Sequence, residues 1–539
     1  MITKIYRKHL ISLSFIICHL SFSMMLASCA ENANEWSVDE SYSRLFRTTN
    51  LSLVETQPTA VVLSFNGVTS ATQYVLEFSL DSLQFNEIVR TEVIKADTLT
   101  PYSTGKVMVQ NEYHKLIDNL YGTTTYSVRL KAVNDATGDE SGWYGVSFKT
   151  PAEQIFTNVT PGIKDVQLYW NPDKTASAIK LGTLSGKDTT WVSTLSITAD
   201  MQRQGKGTID GLSPGTNYIA QIFNDTFLRG TYKFKTLGSA TGQTIDVAVG
   251  DDVNELLAAA TDETVTLIFE GGNEYEVGKV SLPETVKNIY FSGKMVDDQR
   301  PVLKMTGFAI NAKTNNINFQ YVDIDDEMKN AYWFDMRRDD GYDNVTFQGC
   351  IIRNIPRTLV YINNANVQIN DIIIDNCIIN NVGTSGYGMI NIGKAGGINT
   401  ISITNSTLIE IGDQMMDLRG QANLFKVDKV TFCNYTTKLQ KWILVQKTPK
   451  EVQVTNMIFC GPNGEQKMNS GYGDYSGWLD FSGCYLTADF PENSKKFFNA
   501  IRLEQTTEQL FVDPQNGDFH LKPGVVFKGK GVAGDPRWW

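Results

Sequence analysis

The phrase VTFQGCIIRNI (Val345–Ile355) returns as IIIDNCIINNV from Ile372 and, more loosely, as ISITNSTLIEI from Ile401. A fixed period of this size marks stacked supersecondary units, each too small to bury its own apolar face. Aligned on its small-residue beat, the repeat runs through Tyr321, Cys350, Cys377, Ser406, Tyr435, Met457 and Cys484, at intervals of 29, 27, 29, 29, 22 and 27 residues. Each unit carries a short strand of alternating apolar and polar residues: NINFQYVDI, NVTFQGCII, DIIIDNCII, TISITNSTL, KVTFCNYTT, VQVTNMIF and WLDFSGCYL. Each is followed by a corner rich in Asn, Asp or Gly, which tolerate the left-handed backbone that sharp turns require. Parallel strands stacked about 4.8 Å apart place equivalent side chains over one another, so roughly nine coils between residues 265 and 520 predict a rod about 40 Å long.

A third sandwich gives no reason for this period. A leucine-rich solenoid would carry Leu-x-x-Leu-x-Leu, which the chain lacks. Before the repeat, GSATGQ (Gly238–Gln243) reads as a linker and DDVNELLAAA as a short amphipathic helix near 251–260, capped by Asp251 or Asp252, covering the first open edge. The closing segment Phe511–Trp539 is similar to the final strand and tail of pectate-lyase-like proteins. That resemblance implies a right-handed parallel β-helix over 243–539.

The front half alternates with period two in short segments, among them TAVVLSFNG, TQYVLEFSL and TYSVRLKAV. LYGTTTYSVRLKAV (Leu120–Val133) and GLSPGTNYIAQIF (Gly211–Phe223) resemble the late strands of fibronectin type III domains. The resemblance implies two β-sandwiches, 50–151 and 152–237, with Tyr126 and Tyr218 as corner tyrosines. Trp143, Trp170 and Trp191 read as core or, less simply, as sugar-contacting. The fold class expected is therefore all-β: two sandwiches, then a parallel β-helix.

The start reads as a targeting segment. Lys4, Arg7 and Lys8 precede an apolar run from Ile11 to Leu26, then LASC. This ending resembles a bacterial lipobox, implying a signal peptide over 1–28, lipidation of Cys29 and a tether over 29–49. The expected location is the outer membrane, facing the cell surface, with the membrane reached by the lipid anchor alone. The net charge of −11 argues against a nucleic-acid partner. Past Cys29 five cysteines remain, Cys350, Cys377, Cys433, Cys460 and Cys484, with no CxxC; they read as buried small apolar residues rather than a disulfide framework or zinc site.

A β-helix presents a long face suited to an extended polysaccharide. Basic candidates for a catalytic role are Arg337, Arg357, Lys394 and Arg419, in comparable regions of successive coils. A lyase needs a base beside a uronate carboxylate held by a cation. Arg353–Arg357 is similar to the pectate-lyase Arg-x-Pro-x-x-Arg phrase, but its spacing differs and the family's Trp-x-Asp-His phrase is absent. The polygalacturonase phrases Asn-Thr-Asp and Gly-His-Gly are also absent, and only four histidines are present. For binding, Arg337, Arg338, Arg353 and Arg357 suit carboxylates, and Tyr332, Trp333, Tyr472, Tyr475 and Trp478 suit sugar rings, with core filling equally open for the two tryptophans. Asp339, Asp340 and Asp343, or Asp323, Asp325 and Asp326, offer oxygen ligands for Ca²⁺ without a recognised calcium spacing. The chain thus admits three readings: a surface lipoprotein binding a uronate-rich, pectic polysaccharide beside other glycan-uptake proteins; a polysaccharide lyase; or a structural or adhesive protein.

Overall fold

A computed structural model describes residues 44–103, 108–310, 314–336, 342–462, 478–491 and 497–539. The expected signal segment and Cys29 lie outside them. The chain divides into two compact units, 1–153 and 154–539.

The first unit is a sandwich of two antiparallel sheets. One orders Leu51–Gln57, Ala60–Asn66, Met108–Ile117 and Pro101–Ser103; the other joins Arg90–Lys95, Gln73–Ser79 and Thr125–Asn134, with Tyr144–Lys149 on the last strand. Alternation decides what is buried: Val61, Leu63 and Phe65 face Tyr74, Leu76, Phe78, Val128 and Leu130. The hydroxyl of Tyr126 accepts from Tyr121 N at 3.0 Å, the corner expected from the sequence.

The second unit starts with another sandwich, built on Trp170, Ile179, Leu181, Ala220 and Ile222. Its corner tyrosine, Tyr218, accepts from Ser213 N at 2.9 Å. Both sandwiches are fibronectin type III-like. Trp170 is core, as expected; Trp191 is half-exposed and packs on Gly182, whose added Cβ would stand 3.1 Å from its ring. Trp143 stacks on Arg129, 4.3 Å from ring centre to guanidinium carbon. Lys206 and Tyr169 of this sandwich both bond Asp298 of the C-terminal half, and Gly238 N donates to Gln320 Oε1 at 2.8 Å, joining the two parts of the unit.

From Gln243 the chain winds into a parallel β-solenoid of about seven turns. Its first strand, Gln243–Val247, precedes the cap helix Val253–Ala258 rather than coming after it, and pairs in parallel with Thr264–Glu270. Asp252 caps that helix by accepting from Asn254 N and Glu255 N. One inward column reads Leu267, Phe291, Phe319, Phe347, Ile374, Ile403, Val427 and Val454. Phe291, Phe319 and Phe347 stack at 4.9 and 5.1 Å, each contact contributing roughly 0.5–1.5 kcal/mol beyond its buried area. Beside it an amide ladder links Asn288, Asn316 and Asn344 at 2.6 and 2.7 Å.

The small-residue beat is a real column, but sequence alignment misplaces two of its members. Register gives Val322, Cys350, Cys377, Ser406, Val430, Met457 and Cys484, all buried, in place of Tyr321 and Tyr435. Backbone bonds from Ile351 N to Val322 O, Ile378 N to Cys350 O and Thr407 N to Cys377 O fix the stacking. The residue just before each member is left-handed: Tyr321, Gly349, Asn376, Asn405, Lys429, Asn456 and Gly483, with φ between 49° and 79°. Tyr321 thus belongs to the corner, one position early, and Tyr435 to a loop five residues late. The five cysteines described are buried and free of disulfides.

Candidate functional site

The sequence candidates fall on different parts of the solenoid. Strands Tyr332–Met336, Thr358–Asp375, Ile390–Ile411, Asp413–Leu418 and Leu439–Val445 share one sheet face. In register along it stand Asp335, Tyr361, Asn391, Asp417 and Leu444. Lys394 pairs with Asn363, and Arg419 comes directly after Leu418, the partner of Ile392. Arg357 does not share that column. It precedes Thr358 at the opposite end of the strand, because the bend at Asn354 (φ 60°) and Pro356 comes before the strand begins. Arg337, Arg338, Asp339, Asp340, Tyr472 and Tyr475 lie outside the described residues, as does the side chain of Lys394.

Three candidates are engaged structurally. Trp333 is fully buried and its Nε1 donates to Met305 O at 3.0 Å, so it is core and not a sugar platform. Alternation explains the difference: its neighbour Tyr332 points outward. Arg353 is held between Asp323 and Asp325, at 3.2 and 3.0 Å. That pairing also corrects the calcium reading of Asp323, Asp325 and Asp326, since the guanidinium stands where a cation would. Among the described residues no three His, Cys, Asp or Glu side chains gather to hold a metal. Asp326 turns away to accept from Asn330 N at 2.8 Å. Burial pushes Asp323 up to about 6 and Asp326 up to about 7. Arg419 is clamped by the buried Asp417, Nε to Oδ1 at 2.9 Å and Nη2 to Oδ2 at 2.7 Å. An Arg so paired stays charged and cannot serve as a base. Trp478 is half-buried against the solenoid core.

Arg357 is different. Its Nη1 donates to Tyr332 Oη at 3.0 Å, and its guanidinium carbon lies 5.8 Å from the Tyr332 ring centre and 5.2 Å from that of Tyr387. Among the described residues no carboxylate lies within ion-pair distance of it. Tyr332 stacks on Tyr361 at 4.5 Å, and Tyr387 meets both edge-on at 5.7 and 6.0 Å. Tyr387 is 41% exposed. Its phenol is pushed above the ordinary range, first by its hydrogen bond with Tyr332 and then by the charges Tyr332 and Tyr361 would carry.

Local sequence makes this cluster. Tyr387 rides on GTSGYGM, where Gly383, Gly386 and Gly388 all have positive φ. A Cβ at Gly388 would sit 2.3 Å from Gln414 O, so the loop lies flat on the next coil only with glycine there. Asn391 Nδ2 donates to Tyr387 O at 3.1 Å. Ser385 N bonds Pro356 O at 2.7 Å, tying this loop to the bend that carries Arg357. Sequence reading singles out Arg357 and names Tyr332 together with Trp333, but misses Tyr361 and Tyr387. The missed residues carry signals: Tyr361 alternates with Val360 and Ile362, and Tyr387 is flanked by glycines. An arginine without a carboxylate, set among phenol rings, can take an anionic group while the rings pack a sugar face.

Comparisons with known proteins give matches to parts of the chain. Residues 262–410 match a domain of unknown function (DUF4957), and residues 425–538 match a second domain of unknown function (DUF5123). No curated protein matches the chain. A two-domain fibronectin type III segment of chicken tenascin is 15% identical, covering 35% of this chain and 99% of its own, with a TM-score of 0.23. A fibronectin type III domain of human collagen alpha-1(XX) is 21% identical over 22% of this chain and 94% of its own, with a TM-score of 0.16. The first three such domains of chicken CNTN1 are 12% identical over 38% of this chain and 70% of theirs, with a TM-score of 0.17. No helix among the described residues is long and apolar enough to cross a membrane.

Proposed function

We propose that this chain is an exported lipoprotein, anchored through Cys29 on the outer face of the outer membrane, that binds a uronate-rich polysaccharide on its solenoid. The two sandwiches act as a spacer, and other surface glycan-uptake proteins take the captured polymer onward. The observation that carries this reading is Arg357, a cation with no carboxylate beside it among the described residues, framed by Tyr332, Tyr361 and Tyr387 on one sheet face. In this reading the guanidinium pairs with a uronate carboxylate, and Tyr387 with its neighbours packs on a sugar ring. Beyond this cluster Arg419, exposed beside the buried Asp417, carries the polar surface onto a later coil, suiting a polymer rather than one sugar. Binding is favoured over elimination because Arg419 is neutralised by Asp417.

The test is affinity electrophoresis of the full-length chain in gels containing polygalacturonate, alginate or a neutral glucan, with absorbance of unsaturated products followed in parallel. Retardation by a uronate polymer, weakened at least tenfold in Arg357→Gln and Tyr387→Ala, is expected without product absorbance. Retardation equal in wild type and both variants would remove this site from the reading. Absorbance that Arg357→Gln abolishes would replace binding with a lyase activity.

A further inference from the structure

A second cationic site lies on another side of the same solenoid, at the left-handed corners. Arg300 reaches along this wall and its Nε donates to Gly349 O at 2.9 Å. Its guanidinium lies 5.9 Å from the ring centre of Tyr321. Among the described residues its terminal N–H groups have no acceptor, and they are not sealed from solvent. One coil on, Arg537 of the C-terminal tail donates from Nη2 to Asn376 Oδ1 at 2.7 Å. Gly349 and Asn376 are neighbours across a single coil step, since Gln348 pairs with Asp375 and Gly349 N bonds Asp375 O. The two guanidinium groups are therefore anchored on neighbouring rungs, whose backbones stand about 5 Å apart.

Three elements meet here. The solenoid wall supplies Arg300, Tyr321 and Asn376, and the tail supplies Arg537. The second sandwich supplies Tyr232, from its strand Phe227–Lys235. The phenol of Tyr232 is driven up by burial and then by Asp375, and is pulled down by Arg537, so it stands within electrostatic reach of both. Tyr321 covers Gly349 closely: a Cβ there would lie 2.8 Å from its ring, so glycine makes the room. The nearby carboxylates are committed elsewhere. Asp535 holds Arg537 Nε at 3.1 Å, and Asp323 holds Arg353. Asp375 takes Thr404 Oγ1 at 2.6 Å and Asn405 Nδ2 at 2.9 Å. Arg300 is left as a largely buried cation with no ion-pair partner among the described residues, and both burial and the like charge of Arg537 disfavour its charged form. An anion reaching the open N–H groups of Arg300 would offset that cost.

We propose that Arg300 and Arg537, closed over by the hydroxyl of Tyr232, bind a tetrahedral oxyanion, a phosphate or sulfate group, at this seam. A planar carboxylate is satisfied by one guanidinium edge. A tetrahedral group offers acceptors in several directions and can be shared by two arginines on neighbouring coils and a phenol. The ligand would join the second sandwich, the coil stack and the tail. This site uses none of the residues assigned to glycan capture and stands or falls without that reading.

The test is isothermal titration of the full-length chain with sodium phosphate, sodium sulfate, glucose 6-sulfate and sodium glucuronate, each against sodium chloride of equal ionic strength. Saturable binding of phosphate or sulfate is expected, with glucuronate at least tenfold weaker. Tighter binding of glucose 6-sulfate would mark an ester as the ligand, and tighter binding of the inorganic ions a free anion. Arg300→Gln should weaken binding at least tenfold and Tyr232→Phe severalfold. Should Arg300→Gln fail to fold, by circular dichroism, Tyr232→Phe decides alone. No saturable heat with any oxyanion, undiminished affinity in Tyr232→Phe, or glucuronate bound as tightly as sulfate would each overturn the proposal.

Discussion

Asp326→Asn tests the electrostatics of the solenoid corner directly. Asp326 is fully buried; Oδ2 accepts from Asn330 N at 2.8 Å, while Oδ1 has no partner among the described residues. Burial moves its carboxyl from 3.8 to about 7. A carboxyl raised on folding binds a proton in the folded state that the unfolded chain has already released. Stability is therefore greatest below pH 4, falls as pH rises towards 7, and is flat above it. At 1.36 kcal/mol per pH unit this interval corresponds to at most about 4 kcal/mol, and relaxation around the charge brings the expectation to roughly 2–4 kcal/mol. Asparagine does not titrate. Its amide, buried where Oδ1 has no partner, costs about 1–3 kcal/mol at every pH. The variant should be no more stable than wild type at pH 4.5, and should gain about 2–3 kcal/mol on it by pH 8.5. Urea unfolding followed by tryptophan fluorescence at four pH values reads this, since Trp333 lies buried in the adjacent strand. The raised carboxyls of Asp323 and Asp535 are present in both proteins and largely cancel in the difference. A variant-minus-wild-type difference that stays constant across the pH range would refute the assignment.

Two further outcomes separate scaffold from site. Trp333→Phe should lower stability by about 2–4 kcal/mol, through lost volume and an orphaned Met305 carbonyl, yet leave retardation in uronate gels unchanged. Gly349→Ala should cost about 1–3 kcal/mol, because φ is 64° and the Tyr321 ring leaves no room; part of the loss should be recovered, as a melting temperature, in the double variant with Tyr321→Ala.

The fold is legible in the sequence because its signals are periodic and local. Alternation announces the strands, and the corner tyrosines Tyr126 and Tyr218 have a sequence phrase of their own. The beat at Cys350, Cys377 and Ser406 stands out because those coils differ by only a residue or two. It slips where coil length changes. From Ser406 to Val430 the step is 24 residues, and only hydrogen-bond register identifies Val430 as the next member. Site residues are harder for a physical reason. In residues 331–335 the outward Tyr332 and inward Trp333 are adjacent, and composition alone does not say which faces solvent. Arg353, Arg357 and Arg419 look alike in sequence. What separates them is the set of carboxylates brought to each by residues 2–30 positions away: Asp323 and Asp325 for the first, Asp417 for the last, none among the described residues for the second.

The left-handed corner column has a consequence for how such a protein can change. Steps of 28, 27, 29, 24, 27 and 27 residues separate successive members of the buried column beside it, yet the strands stay in register. One residue per coil resets the backbone, so length differences are discarded before the next rung begins. Insertions in the connecting loops can then reshape the outer surface coil by coil while the stack beneath keeps its alignment. Each turn is in effect an independent slot, in which a new binding loop can be tried without renegotiating the core.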